Sequence, residues 1–124
     1  MAKYVDGFIV PVPKNKLKAY LKMAKLGCKI WMEYGALDYH ECIADDVKKG
    51  KSTSFPRSVK LKPNEIVIFS WITYKSRKQR DQIMKKVMKD SRFNEFMTNM
   101  PFDGKRMIWG GFKTMVSAGL KNGK

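Results

Sequence analysis

The chain predicts an α+β fold of the ferredoxin-like kind: a βαββαβ order with a four-stranded antiparallel sheet and two helices on one face. Two observations predict it. Hydrophobic periodicity runs strand, helix, strand and then strand, helix, strand along the 124 residues, the pattern of two split βαβ halves. The strands also carry large apolar residues on both faces, and one helix layer covers only one of them. The uncovered face would expose more apolar area than a monomer usually shows, so a homodimer packed sheet to sheet is expected.

Residues 4–12, Tyr4 to Val12, read as a strand that Pro11 and Pro13 stop. A helix is predicted over 14–34, with Leu17, Tyr20, Leu21, Ala24, Cys28, Trp31 and Met32 at three-and-four spacing and Lys18, Lys22, Lys25 and Lys29 on the other side. Four like charges at that spacing weaken an isolated helix, so packing must hold it. Gly35 reads as its C-cap.

Residues 36–44 alternate, with Leu37, Tyr39, Glu41 and Ile43 on one face and Asp38, His40, Cys42 and Ala44 on the other. That predicts a half-exposed strand. The polar connection over 45–63 is long enough to be a lid, an arm or an interface element, with Phe55, Val59 and Leu61 as apolar anchors. Residues 65–74 are apolar almost throughout: Val67, Phe69 and Trp71 have one parity, Ile66, Ile68 and Ile72 the other.

Ser76 reads as the N-cap of a helix that runs to about residue 89, with Arg80, Ile83, Met84, Val87 and Met88 on its inner side. A shorter helix follows over Ser91–Asn99, then a turn at Asp103-Gly104 and a last strand over 105–116. Gly110-Gly111 inside that strand points to a bulge or a close approach. Ser117–Lys124 reads as a frayed tail.

The length fits one domain over residues 1–124. Hydrophobic residues make up 44% of the chain, which excludes disorder, and no apolar run approaches a membrane span. Without a signal-peptide core after Met1, cytoplasmic residence is the default expectation. Cys28 and Cys42 have no metal or disulfide spacing and read as small buried hydrophobes. The net charge of +15 comes from 21 Lys and 5 Arg. Arginine is the residue suited to bidentate phosphate contacts, and the lysines are scattered. A solvated surface is therefore the first reading, and nucleic-acid binding is not favoured.

Asp6 and Glu41 are carboxylates placed among apolar strand residues, a costly position unless they are paired or hydrogen-bonded. The first and last strands are neighbours in a ferredoxin-like sheet, so an Asp6–Arg106 pair is geometrically possible. His40 is the only histidine, and with Asp38 it supplies at most two metal ligands. No metal site and no cofactor are expected. Trp31, Trp71, Trp109, Tyr20, Tyr39 and Tyr74 either line a cavity between helices and sheet or are plain core. The candidate ligand-pocket residues are thus Asp6, His40, Glu41, Trp71, Arg106 and Trp109. No nucleophilic triad or phosphate loop is present.

Tyr4-Val5-Asp6-Gly7-Phe8, Gly35-Ala36-Leu37, Glu41-Cys42, Ser54-Phe55-Pro56, Phe69-Ser70-Trp71-Ile72 and Met100-Pro101-Phe102-Asp103-Gly104-Lys105-Arg106-Met107 together resemble the YbaA-like family of bacterial proteins. The resemblance covers about residues 3 to 116. It implies a dimeric α+β barrel, two ferredoxin-like sheets face to face with a pocket between sheet and helices, and it carries over no catalytic residue. Three functions follow as expectations. The first is a small homodimer that binds an apolar or aromatic ligand, with monooxygenase-like or stress-related chemistry at most. The second is an interaction dimer without catalysis. The third is a polyanion binder using the lysine-rich surface.

Overall fold

The structure, a computed structural model, describes residues 3–119. Strand β1 (Tyr4–Pro13) leads through a tight turn at Lys14–Lys16 into helix α1 (Leu17–Glu33), followed by β2 (Asp38–Ile43). A short helix α2 (Phe55–Ser58) precedes β3 (Glu65–Tyr74), and α3 (Arg77–Met88), α4 (Ser91–Met97) and β4 (Ile108–Lys113) complete the order. The sheet runs β2–β3–β1–β4 with every pairing antiparallel, the ferredoxin-like arrangement the periodicity predicts. No described helix is long and apolar enough to cross a membrane.

Local chemistry sets the helix ends. Gly35 takes φ +109°, its N–H reaches the Met32 carbonyl, and the Ala36 N–H reaches that of Trp31. These bonds form a Schellman motif, which needs a residue tolerant of the left-handed region. The Ser76 hydroxyl accepts from the Gln79 N–H at 3.1 Å, and Asp90 caps α4 by accepting from the Arg92 N–H at 2.9 Å. The Arg92 guanidinium beside Asp90 holds that carboxyl well below the usual carboxylate range, helped by the Tyr34 hydroxyl.

Several boundaries and faces differ from expectation. Pro11 does not stop β1, which continues to Pro13. β4 leaves β1 at Ile9, so beyond it β1 has a neighbour on one side only and proline is tolerated. The last strand is shorter than 105–116 because Arg106 is drawn into ion pairs with Glu65 and Asp103. The buried stripe of α1 is rotated: Gly27 and Ile30 are inside, while Leu21 and Met32 are exposed. Cys42 is exposed and Cys28 half-buried, so neither is a buried hydrophobe. Of the tail expected over Ser117–Lys124, residues 120–124 lie outside the described residues, and 117–119 carry no regular element.

The alternation of β1 and β3 divides the sheet. Tyr4, Asp6, Phe8, Val10 and Val12 share one face with Ile68, Ser70, Ile72 and Tyr74, under the helices. Val5, Ile9, Val67, Phe69 and Trp71 share the other with Ile108 and Phe112. Among the described residues no helix layer covers this second face: Phe69 is 43%, Ile108 44% and Phe112 64% exposed. Helix α2 leans on one edge of it, the Phe55 and Phe69 ring centroids 5.9 Å apart. The connection carrying α2 is anchored by buried Val59 and by Arg57, whose guanidinium donates to the Lys49 and Gly50 carbonyls.

Candidate functional site

A cavity of about 320 Å³ lies between the sheet and the helices. Two rows of the sheet make its floor. The register aligns Trp109, Phe8, Ser70 and Glu41 across the four strands, and beside them Gly111, Asp6, Ile72 and Tyr39. Helix α1 roofs it with Tyr20, Met23, Gly27 and Trp31, which recur at three-and-four spacing on one stripe. Met84 and Met88 of α3, and Phe93, Phe96 and Met97 of α4, close one side. Met88, Met97 and Trp109 line the cavity and are still 50%, 51% and 55% exposed, which places them at its opening.

The polar groups are few, and both carboxylates are held. The Glu41 carboxylate accepts from the Tyr20 hydroxyl at 2.7 Å and from the Tyr39 hydroxyl at 2.8 Å, one on each oxygen. Burial pushes the Glu41 carboxyl above its ordinary value, and the two phenols only partly offset this. The phenols are themselves pushed up, by burial first and by the Glu41 charge second, so both stay protonated and donate. Gly27 makes room for this clamp, since a Cβ there would lie 2.9 Å from the Tyr39 hydroxyl.

Asp6, 1% exposed, is held differently. The Arg80 Nη1 donates to Oδ1 and the Tyr74 hydroxyl to Oδ2, both at 2.9 Å. Burial raises the Asp6 carboxyl, while Tyr74 and Arg80 pull it back. The same guanidinium lies over the Tyr4 ring, 5.1 Å from its centroid. Tyr4 in turn lies against Gly111, where any Cβ would collide with the ring. Gly110-Gly111 therefore marks a close approach, with no bulge, because the β1–β4 register is continuous from Tyr4 to Ile9. The Trp31 Nε1 is buried without a partner of full hydrogen-bond geometry, though near enough to Tyr74 to bear on its ionisation.

Asp6, Glu41 and Trp109 thus line one cavity, with Tyr20, Trp31 and Tyr39. His40 and Trp71 do not; they stack on each other at 4.6 Å on the opposite sheet face, because their strand parity points away from the helices. The Asp6–Arg106 pair does not form. Arg106 binds Glu65 and Asp103 and donates to the Val59 and Lys60 carbonyls, clasping the connection before β3. The guanidinium holds the Glu65 carboxyl below its ordinary value. Arg80, on the inner side of an amphipathic helix, was the signal for the true partner of Asp6. The methionines had no such signal, since their spacing is that of ordinary core.

Among the described residues no group of three or more His, Cys, Asp or Glu could hold a metal ion. What the arrangement offers is an apolar chamber with one uncompensated carboxylate. A pH test isolates it. Glu41 binds its proton more tightly in the native state than unfolded, so it contributes stability below the ordinary value of 4.5 that is lost as pH rises through the raised native value. The stability difference between wild type and Glu41→Gln is expected to grow in favour of wild type as pH falls across that window and to level off below it. Denaturant melts at a series of pH values check this; a difference that grows with rising pH would contradict it.

A solved dimeric ferredoxin-like protein from an uncultured marine organism superposes with a TM-score of 0.60 over 97% of this chain and all of its own, at 8% identity. The likeness shows the fold. Uncharacterized protein YbaA of Escherichia coli K12 is 51% identical over 114 residues, 92% of this chain and 97% of YbaA, and the YbaA of Shigella flexneri matches equally. The family model described as a protein of unknown function, DUF1428, matches residues 3–104. On these matches the chain belongs to the YbaA-like, DUF1428 family of proteins of unknown function.

Proposed function

We propose that the protein binds a small, largely apolar or aromatic molecule in the cavity between sheet and helices, in each protomer of a homodimer joined through the open sheet faces. The cavity carries the first half: about 320 Å³ of aromatic and methionine wall around one clamped carboxylate, the composition of small-ligand sites. Six methionines in the lining give walls that adapt to a ligand's shape. The second half is supported by Phe69, Ile108 and Phe112, exposed on a single face, and by the dimeric ferredoxin-like neighbour.

The test uses N-phenylnaphthylamine, uncharged at neutral pH, with Trp31 and Trp109 as energy donors in the cavity wall. Saturable binding of one probe per chain is expected. Ser70→Leu puts a larger side chain into the cavity from its floor, and the lost ligand space is expected to weaken the probe about tenfold, ~1.4 kcal/mol. Uptake that never saturates, or that ignores Ser70→Leu, would sink the reading. Native mass spectrometry of freshly purified protein reports the dimer and any retained ligand together.

A further inference from the structure

We infer that the cavity selects an organic cation: an apolar or aromatic body carrying a protonated amine that donates to the Glu41 carboxylate. The inference rests on the ligand-binding reading above and names the ligand class.

The balance of charge around the cavity leads to it. The chain has 26 Lys and Arg against 11 Asp and Glu, yet no Lys or Arg lines the cavity among the described residues. Two carboxylates do. Asp6 has its counter-charge in Arg80 at 2.9 Å. Glu41 has none: its described partners are the two neutral phenols, Tyr20 and Tyr39. A carboxylate of this kind in a part-buried, apolar chamber lacks only a cation.

The geometry leaves room for one. A carboxylate has about four acceptor positions, and the phenols occupy one on each oxygen. The remaining lone pairs can receive N–H donors from an ammonium group, the stronger, charge-assisted kind of hydrogen bond. The walls suit the same ligand. Tyr20 and Tyr39, which hold Glu41, are joined in the lining by Trp31, Phe8 and Trp109, and Trp and Tyr faces attract cations. Phe8 and Trp109 stack on each other with centroids 6.2 Å apart, offering a flat wall to an aromatic body. An anionic ligand would meet Glu41 as a like charge in a medium of low polarity.

Three probes of one shape separate the possibilities: naphthylethylamine, naphthylethanol and naphthylacetate, each titrated calorimetrically into the intact protein at neutral pH. The amine is expected to bind at least about tenfold more tightly than the alcohol, because only the ammonium adds a full opposite charge to its hydrogen bond with the carboxylate, with the acetate weakest. Glu41→Gln is expected to abolish the amine's advantage, so that amine and alcohol bind that variant about equally. Should that variant fail to fold, the unaltered protein answers the same question: lowering the pH toward 4.5 shrinks the amine's advantage as Glu41 takes up its proton. Equal affinity for amine and alcohol, a preference for the acetate, or an amine preference that survives both Glu41→Gln and low pH overturns the inference while the pocket reading stands. Failure of amine and alcohol alike removes both.

Discussion

Replacing Arg80 by alanine is expected to destabilise the protein by about 3–5 kcal/mol, because it leaves a buried carboxylate without its counter-charge. Asp6 is 1% exposed, and the Arg80 side chain is 11% exposed. Solvent therefore screens the pair little and cannot replace the lost partner. The Tyr74 hydroxyl remains, and one neutral donor does not balance a buried charge. The variant also loses the guanidinium from the face of Tyr4. For a domain of this size the loss corresponds to a fall in melting temperature on the order of 10–20 °C. Asp6→Asn combined with Arg80→Met is expected to recover most of it, since removing both charges removes the unpaired one. Thermal and denaturant melts decide the matter. An Arg80→Ala variant within about 1 kcal/mol of wild type, no more than an ordinary hydrogen bond contributes, would show that Asp6 does not depend on this partner.

Phe112→Asp is expected to turn the proposed dimer into monomers. Phe112 is 64% exposed in the protomer, so its own fold loses little packing when the ring goes. It lies on the open face over Gly7 and Gly110, where a Cβ would still clear its ring by 3.9 and 3.6 Å. In a two-fold interface the substitution counts twice. An aromatic hot spot contributes at least about 2 kcal/mol, so two copies of the change should raise the dissociation constant about a thousandfold. Light scattering coupled to size exclusion measures it, with far-UV circular dichroism confirming that the protomer stays folded. A single-copy mass for the wild type, or an undiminished dimer for the variant, would rule out this interface.

The elements were readable because their signals are local. The largely apolar runs of Tyr4–Val12 and residues 65–74, the alternation of residues 36–44, Ser76 as an N-cap and Gly35 as a C-cap each depend on a few neighbouring residues. Asp6 and Glu41 were readable as carboxylates out of place among apolar residues. Their partners were readable only as candidates. Asp6 had two arginines within topological reach, Arg80 from the helix layer and Arg106 from the last strand. The choice depends on how far Arg106 is drawn toward Glu65 and the Val59 and Lys60 carbonyls. His40 and Trp71 looked like pocket residues by type, and strand parity sends both to the open face.

By itself the sequence determined the βαββαβ order, the two-sided apolar character of β3 and the presence of two misplaced carboxylates, because periodicity and burial cost are properties of a residue and its near neighbours. Tertiary structure alone decided that Glu41 would meet two phenols and Asp6 a guanidinium. Tyr20 is 21 residues from Glu41 along the chain, and Arg80 is 74 from Asp6. Only the register of four strands, with α1 brought close at Gly27 for Tyr20 and α3 laid over the sheet for Arg80, places them within hydrogen-bond distance. The same long-range geometry leaves Glu41 without a counter-charge among the described residues, and the proposed ligand follows from that imbalance.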